Sequence, residues 1–248
     1  MSVIKFSVAE FADIASTIRY DSVLRDRFYS LKEVGELARL KMYPPTERQL
    51  DKAIFCWVER LYIANALAFE YQYGSFAARV RFSNQPVSGP DGDQIVETFF
   101  TIAPWQSAIY SELDFEYLAN GGWGKTGPRM WMTSWDTVKK NDHSDAALDL
   151  GGGWHNLLVT ATADEAIYYV DGVQQGGPHG MPFAPKSLMA IDFNLWFIQP
   201  GEVGTPRRYI EQIDWVYHAK DVILTEAQVD EAVKRLRGEG IGFANTIP

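Results

Sequence analysis

Tyr110-Ser111-Glu112-Leu113-Asp114-Phe115-Glu116-Tyr117-Leu118 alternates acidic and apolar residues. On an extended strand successive side chains point to opposite faces, so Glu112, Asp114 and Glu116 share one face and Leu113, Phe115 and Tyr117 the other. One face is built for a core, and the other places three acids in a row. At roughly 3.3 Å per residue the Cα atoms of Glu112 and Glu116 stand about 13 Å apart. If each side chain leans inward by about 4 Å, the two carboxyl groups end about 5 Å apart, the separation of a retaining glycosidase pair. Asp114, between them, is placed to hydrogen-bond a neighbour and to hold a shared proton, and like charges at that range raise a carboxyl pKa. The spacing leaves open which glutamate attacks. It also leaves open the plainer reading, in which the acids are the solvated side of an amphipathic strand.

Working outward, the same texture recurs. Phe76–Phe82, Ile95–Ile102, Ala108–Leu118, His155–Ala161, Ala166–Val170, Leu188–Ile198 and Tyr209–Tyr217 are short, aromatic or β-branched, and bounded by Gly, Pro and Asp. Asp171-Gly172 is a tight-turn signal. Strands in succession without intervening helices predict an antiparallel sandwich. Segments 120–128 and 172–186 and Gly151-Gly152-Gly153 read as surface loops, the candidates for a cleft rim. Thr225-Glu226-Ala227-Gln228 is a capping box, with Val229, Ala232, Val233 and Leu236 behind it, so a helix is predicted over 225–238. Residues 1–50 differ. Ser7-Val8-Ala9-Glu10 and Ser30-Leu31-Lys32-Glu33 are further capping patterns, and they predict a partly helical N-terminal extension before a domain over 51–248. Residues 46–61 fit helix and buried strand equally.

Composition bounds the function. Of 248 residues, 46% are hydrophobic and 22% charged, which excludes a largely disordered chain. The net charge of −9, without a Lys/Arg-rich run, argues against nucleic acid or an anionic membrane as partner. The one cysteine, Cys56, excludes a disulfide framework, a Cys-based zinc site and an iron–sulfur cluster. It reads as a core thiol. His143, His179 and His218 are scattered, and His155 reads as structural, so no metal site is expected. The N-terminus lacks the long apolar core of a secretory signal, and no run of 18 apolar residues occurs. The expectation is a cytoplasmic protein as the sequence stands, secreted if the native gene carries a leader. Oligomeric state is left open.

Glu112-Leu113-Asp114-Phe115-Glu116 resembles the Glu-hydrophobic-Asp-hydrophobic-Glu signature of glycoside hydrolase family 16, in the form found in lichenases and xyloglucan transglycosylases. Tyr73–Val80 resembles the family's YGxFEARI strand, and Trp154-His155-Asn156-Leu157 with Tyr168–Gly172 its WHTY…WYVDG hairpin. Phe193-Asn194-Leu195-Trp196 resembles MNLW, and Ile213–Tyr217 the closing YDWVKY. The likeness runs over roughly residues 62–221, in the family's order. It implies a concanavalin A-like β-jelly roll of two antiparallel sheets and a retaining hydrolase or transglycosylase for β-linked glucans or galactans. By the resemblance Glu112 is the nucleophile, Glu116 the acid/base and Asp114 the assisting carboxylate. Arg79, Tyr110, Asn194 and Trp196 match cleft positions. Trp131 and Trp135 join them as expected substrate contacts, because flat indole faces suit sugar C–H faces. No organic cofactor is implied. Some bacterial members bind a structural calcium, and no loop here identifies one. Tyr110 stands where lichenases carry Trp, Ser111 where they carry Asp, and Arg129–Trp135 is more apolar than the corresponding strand. Two other readings keep the scaffold: acid/base catalysis on an apolar small molecule, and carbohydrate binding without catalysis.

Overall fold

Alternation of large apolar with polar residues is what lets these segments pair on both edges and bury one face. The structure, a computed structural model, describes residues 71–103, 108–137, 142–199 and 207–241, with the backbone of 3–4 and 17–20. The central sheet has five antiparallel strands: β4 (Gln94–Ile102), β5 (Glu112–Leu118), β6 (Arg129–Thr137), β7 (Asp142–Asp149) and β11 (Ala190–Gln199), in the order β11-β4-β5-β6-β7. The second has six: β1 (Val3–Ile4), β3 (Gly74–Phe82), β8 (Gly153–Ala161), β9 (Glu165–Val170), β10 (Val173–Gly180) and β13 (Gln212–Lys220), in the order β1-β13-β3-β8-β9-β10. A small ladder pairs β2 (Thr17–Tyr20) with β12 (Arg207–Ile210). The two large sheets form a jelly-roll sandwich, with one helix, α1 (Glu226–Gly238), near the C-terminus.

The core lies between the sheets. Phe76, Ala78, Val80 and Phe82 of β3 face Leu113, Phe115 and Tyr117 of β5, all buried. Phe115 makes one of the cross-sheet contacts: its ring stacks on Phe99 at 5.9 Å and meets the edge of Tyr168 on β9 at 5.2 Å. Each buried aromatic of this kind contributes about 1.5–3 kcal/mol over an exposed one.

Asp171 (φ 50) and Gly172 (φ 77) take the left-handed backbone of a two-residue turn, so Val170 pairs with Val173. The sequence predicts loop after this turn, yet Val173–Gly180 is an edge strand, held from one side by β9. Asp142–Asp149, which no pattern marked, is likewise the edge strand β7. Edges need fewer β-branched residues, because half of each strand faces no neighbour. The expected strand over Ala108–Leu118 begins only at Glu112, and Glu211 interrupts the expected Tyr209–Tyr217 strand.

Helix α1 starts as predicted, with Thr225 and Gln228 forming the reciprocal capping box. Val229, Ala232, Val233 and Leu236 bury against Ala77, Leu158, Trp215, Tyr217 and Ala219, on the side of the six-stranded sheet away from the core. Among the described residues no helix is long and apolar enough to cross a membrane. The helices expected in residues 1–50, the stretch 46–61 with Cys56, and Trp105, which the sequence leaves between core and cleft rim, lie outside the described residues. The exception is Thr17–Tyr20, a strand within the extension expected to be partly helical.

Candidate active site

Strand β5 is the middle of the five-stranded sheet, and its register fixes what surrounds each acid. Glu112 is opposite Ile102 and Trp135, Asp114 opposite Phe100 and Thr133, and Glu116 opposite Thr98 and Trp131. Because Leu113, Phe115 and Tyr117 take the core side, the three acids stand on the outer face of this sheet. That is the face the alternation predicts.

Each acid has a described donor, and none of these donors is a cation. The Tyr110 hydroxyl donates to Glu112 Oε2 at 2.5 Å. The indole N–H of Trp135 donates to Asp114 Oδ2 at 2.9 Å. The Thr133 hydroxyl lies 3.5 Å from Glu116 Oε2. Burial pushes the Asp114 carboxyl well above the usual carboxylate range, the charges of Glu112 and Glu116 add to this, and the Trp135 N–H opposes it. Burial, then the charge of Glu112, raises Glu116 to about 8, against the pull of Thr133. Glu116 therefore keeps a proton at neutral pH. A carboxylic acid beside another carboxyl on one face can donate a proton to a bound leaving group and later take one from water.

The expected binding residues divide. Tyr110 sits on Glu112, and Trp131, Thr133 and Trp135 line up opposite the acids on β6. Trp196, on β11, is opposite Val96, and its ring lies 6.0 Å from that of Trp123. Asn194 is opposite Thr98 in the ladder, while its side chain lies outside the described residues. Arg79 corrects the expectation. The core takes Ala78 and Val80, so Arg79 emerges on the far side of the six-stranded sheet, both layers away from the acids. There it donates to Asp214 at 3.1 Å and lies over the Trp154 ring at 5.0 Å.

Three residues that the sequence did not single out join the site. Trp123, in the glycine-rich segment read as a rim loop, contacts Trp131 at 6.0 Å. His143, read in the sequence only as one of three scattered histidines, packs its ring 4.5 Å from that of Trp135. Lys186 pairs with Asp136, and its backbone N–H donates to Ser111 Oγ at 2.7 Å, which ties the loop before β11 to the Glu112 end of the acid row. Register was the missing information, since it alone brings β6 beside β7. His155 is structural, as expected: it bonds Asp171 at 2.7 Å and the Gly151 carbonyl at 2.9 Å. Among the described residues no three or more His, Cys, Asp and Glu side chains are grouped so as to hold a metal ion.

No protein-family model and no curated protein matches the chain. Solved structures do. The Bacillus licheniformis β-glucanase aligns over 67% of this chain and 72% of its own, at 17% identity and a TM-score of 0.47. A β-1,3-1,4-glucanase (lichenase) from a mouse hindgut metagenome covers 82% of this chain and 79% of its own, at 14% identity and 0.48. A pseudo β-1,3-glucanase and immunostimulatory antigen of Mycobacterium tuberculosis aligns over 68% of this chain and 70% of its own, at 16% and 0.47. At such scores the sheet orders above, and not these likenesses, carry the fold, and the acid row carries the chemistry.

Proposed function

We propose that this protein is a retaining glycoside hydrolase or transglycosylase acting on a β-linked glucan or galactan through Glu112 and Glu116. The observation that supports this most is the row of Glu112, Asp114 and Glu116 on one face of β5, with Tyr110 and Trp135 bonded to it and Trp131 opposite Glu116; the raised pKa of Glu116 agrees with it. Glu112 attacks the anomeric carbon while Glu116 protonates the departing oxygen, and a glycosyl ester forms on Glu112. Esterification removes the charge of Glu112. That charge is one of the causes holding Glu116 high, so its pKa falls as the ester forms, and the same residue becomes the base that activates water or an acceptor hydroxyl. Asp114, bonded to Trp135, sits between them and shares the charge.

The indoles around Glu116 favour a second reading, in which the same acids perform proton transfer on an apolar small molecule. Turnover assays of wild type and Glu112→Gln on β-glucans, β-galactans and aryl β-glycosides separate the two. Release or transfer of sugar by wild type alone supports the glycosidase. A wild type inert on the whole panel overturns it.

A further inference from the structure

Trp123 stands where a tryptophan is least expected. Gly122 and Lys125 exchange backbone hydrogen bonds at 3.0 and 2.9 Å, closing a tight turn with Trp123 and Gly124 at its tip. Both tip residues are left-handed, at φ 47 and 77. Glycine or asparagine suits such positions, and a bulky side chain there is an outlier held by its surroundings. The loop is fixed twice. Asn120 donates to Asp91 Oδ1 at 2.8 Å and to the Asp93 carbonyl at 3.0 Å. Gly122 presses so closely on the sheet that a Cβ would meet Leu118 Cδ2 and Ile198 Cδ1 at 2.6 Å.

The result is a bar across the acid face. Trp131 rises from β6 opposite Glu116, and Trp196 from β11 on the far side of β4 and β5. Trp123 touches both, at 6.0 Å each, so three rings span from β6 to β11. The register places this bar at Glu116 and beyond it, on the side away from Glu112: Trp196 is opposite Val96, two positions from Thr98, the partner of Glu116. Resting on the glycosidase reading above, we propose that Trp123 is a specificity residue. Together with Trp131 and Trp196 it forms an indole wall that seats the C–H face of an unbranched pyranose chain beside Glu116 and excludes chains branched at that unit. A substituent there would need the volume the Trp123 ring holds, and 44% of Trp123 remains exposed for a sugar to cover.

Calorimetric titration in the Glu112→Gln background reads binding without turnover. The probes are a linear mixed-linkage β-glucan oligosaccharide and a xylose-branched xyloglucan oligosaccharide of equal backbone length. The linear probe is expected to bind about tenfold or more tighter than the branched one. Adding Trp123→Gly, which suits the left-handed turn, weakens the linear probe by about tenfold and brings the two probes close together. Its melting temperature stays at or above that of Trp123→Ala, which shows that the lost affinity is not lost folding. Equal affinities for the two probes with Trp123 present, an unchanged linear affinity after Trp123→Gly, or no binding of either probe overturns the wall. Binding that depends on Trp123 in a protein whose wild type turns over no glycan supports the wall and removes the glycosidase reading alone.

Discussion

The two sheets turn outward faces of opposite character. On the six-stranded sheet the buried acid Asp214 lies between Arg79 and Arg237, and helix α1 covers the apolar remainder. On the five-stranded sheet Glu112, Asp114 and Glu116 receive described donors that are all neutral, and burial with mutual repulsion raises the pKa of Asp114 and Glu116. A charge paired with its opposite steadies a fold and does little chemistry. Acids crowded together cost stability, and they persist where the proton they share has a use.

The sharpest way to break this contrast is to remove one acid from the crowded face. Glu112→Gln is isosteric and takes away a negative charge from beside two other acids. It should lower kcat by at least about 10³-fold on every glycoside substrate. Thermal unfolding should show a protein as stable as wild type or more so, since like-charge repulsion falls. A variant that loses stability as well as turnover would mean the acid row is structural.

The matching change on the covered face is Leu236→Ala. Leu236 is buried in the helix–sheet contact, and its truncation should cost about 2–5 kcal/mol of folding stability. Turnover per folded molecule should not change, because both layers of the sandwich lie between α1 and the acids. Denaturant melts alongside kcat measured well below the melting temperature check both halves.

Third in size is pH. As the proposed acid, Glu116 can donate a proton only below its folded pKa, so the alkaline limb of kcat/KM should fall through about pH 8, by tenfold per unit above it. Stability should follow the same sign. A carboxyl raised from the unfolded value of 4.5 to about 8 contributes fully at low pH, and its contribution declines as pH rises across that window. Glu116→Gln should flatten this decline and melt higher than wild type near pH 9. An unchanged pH dependence of the melting temperature would place the proton elsewhere.

The sequence exposed some of this and concealed the rest for identifiable reasons. The alternation through Glu112–Leu118 placed the acids on one face, Asp171-Gly172 placed a hairpin, and Thr225 with Gln228 placed the helix start, because each is a short-range rule. The sequence predicts a strand at Arg79, which the structure has, but the wrong surface for its side chain. Its parity says only that it faces away from Ala78 and Val80, and a sandwich has two such outward faces. Val173–Gly180, rich in glycine, is a strand because β9 offers it an edge, which no local pattern records. Trp123 and His143 reach the site from a loop and an edge strand, through contacts that depend on which strands lie side by side.

The smallest expected effect tests how finely the crowded face is tuned. Trp135→Phe keeps a large ring against His143 and removes only the N–H that Asp114 accepts. That bond favours the ionised form of Asp114, so its loss moves Asp114 further up. Glu116 is held up by burial and the charge of Glu112, and neither changes when Asp114 keeps its proton more firmly. The alkaline limb of kcat/KM should therefore stay where it is. One neutral hydrogen bond is worth about 0.5–1.5 kcal/mol, so kcat at its optimum should fall by about tenfold at most. A shift of that limb would mean that Asp114 carries charge beside Glu116 while Glu116 titrates, and a change in KM alone would make Trp135 a sugar contact.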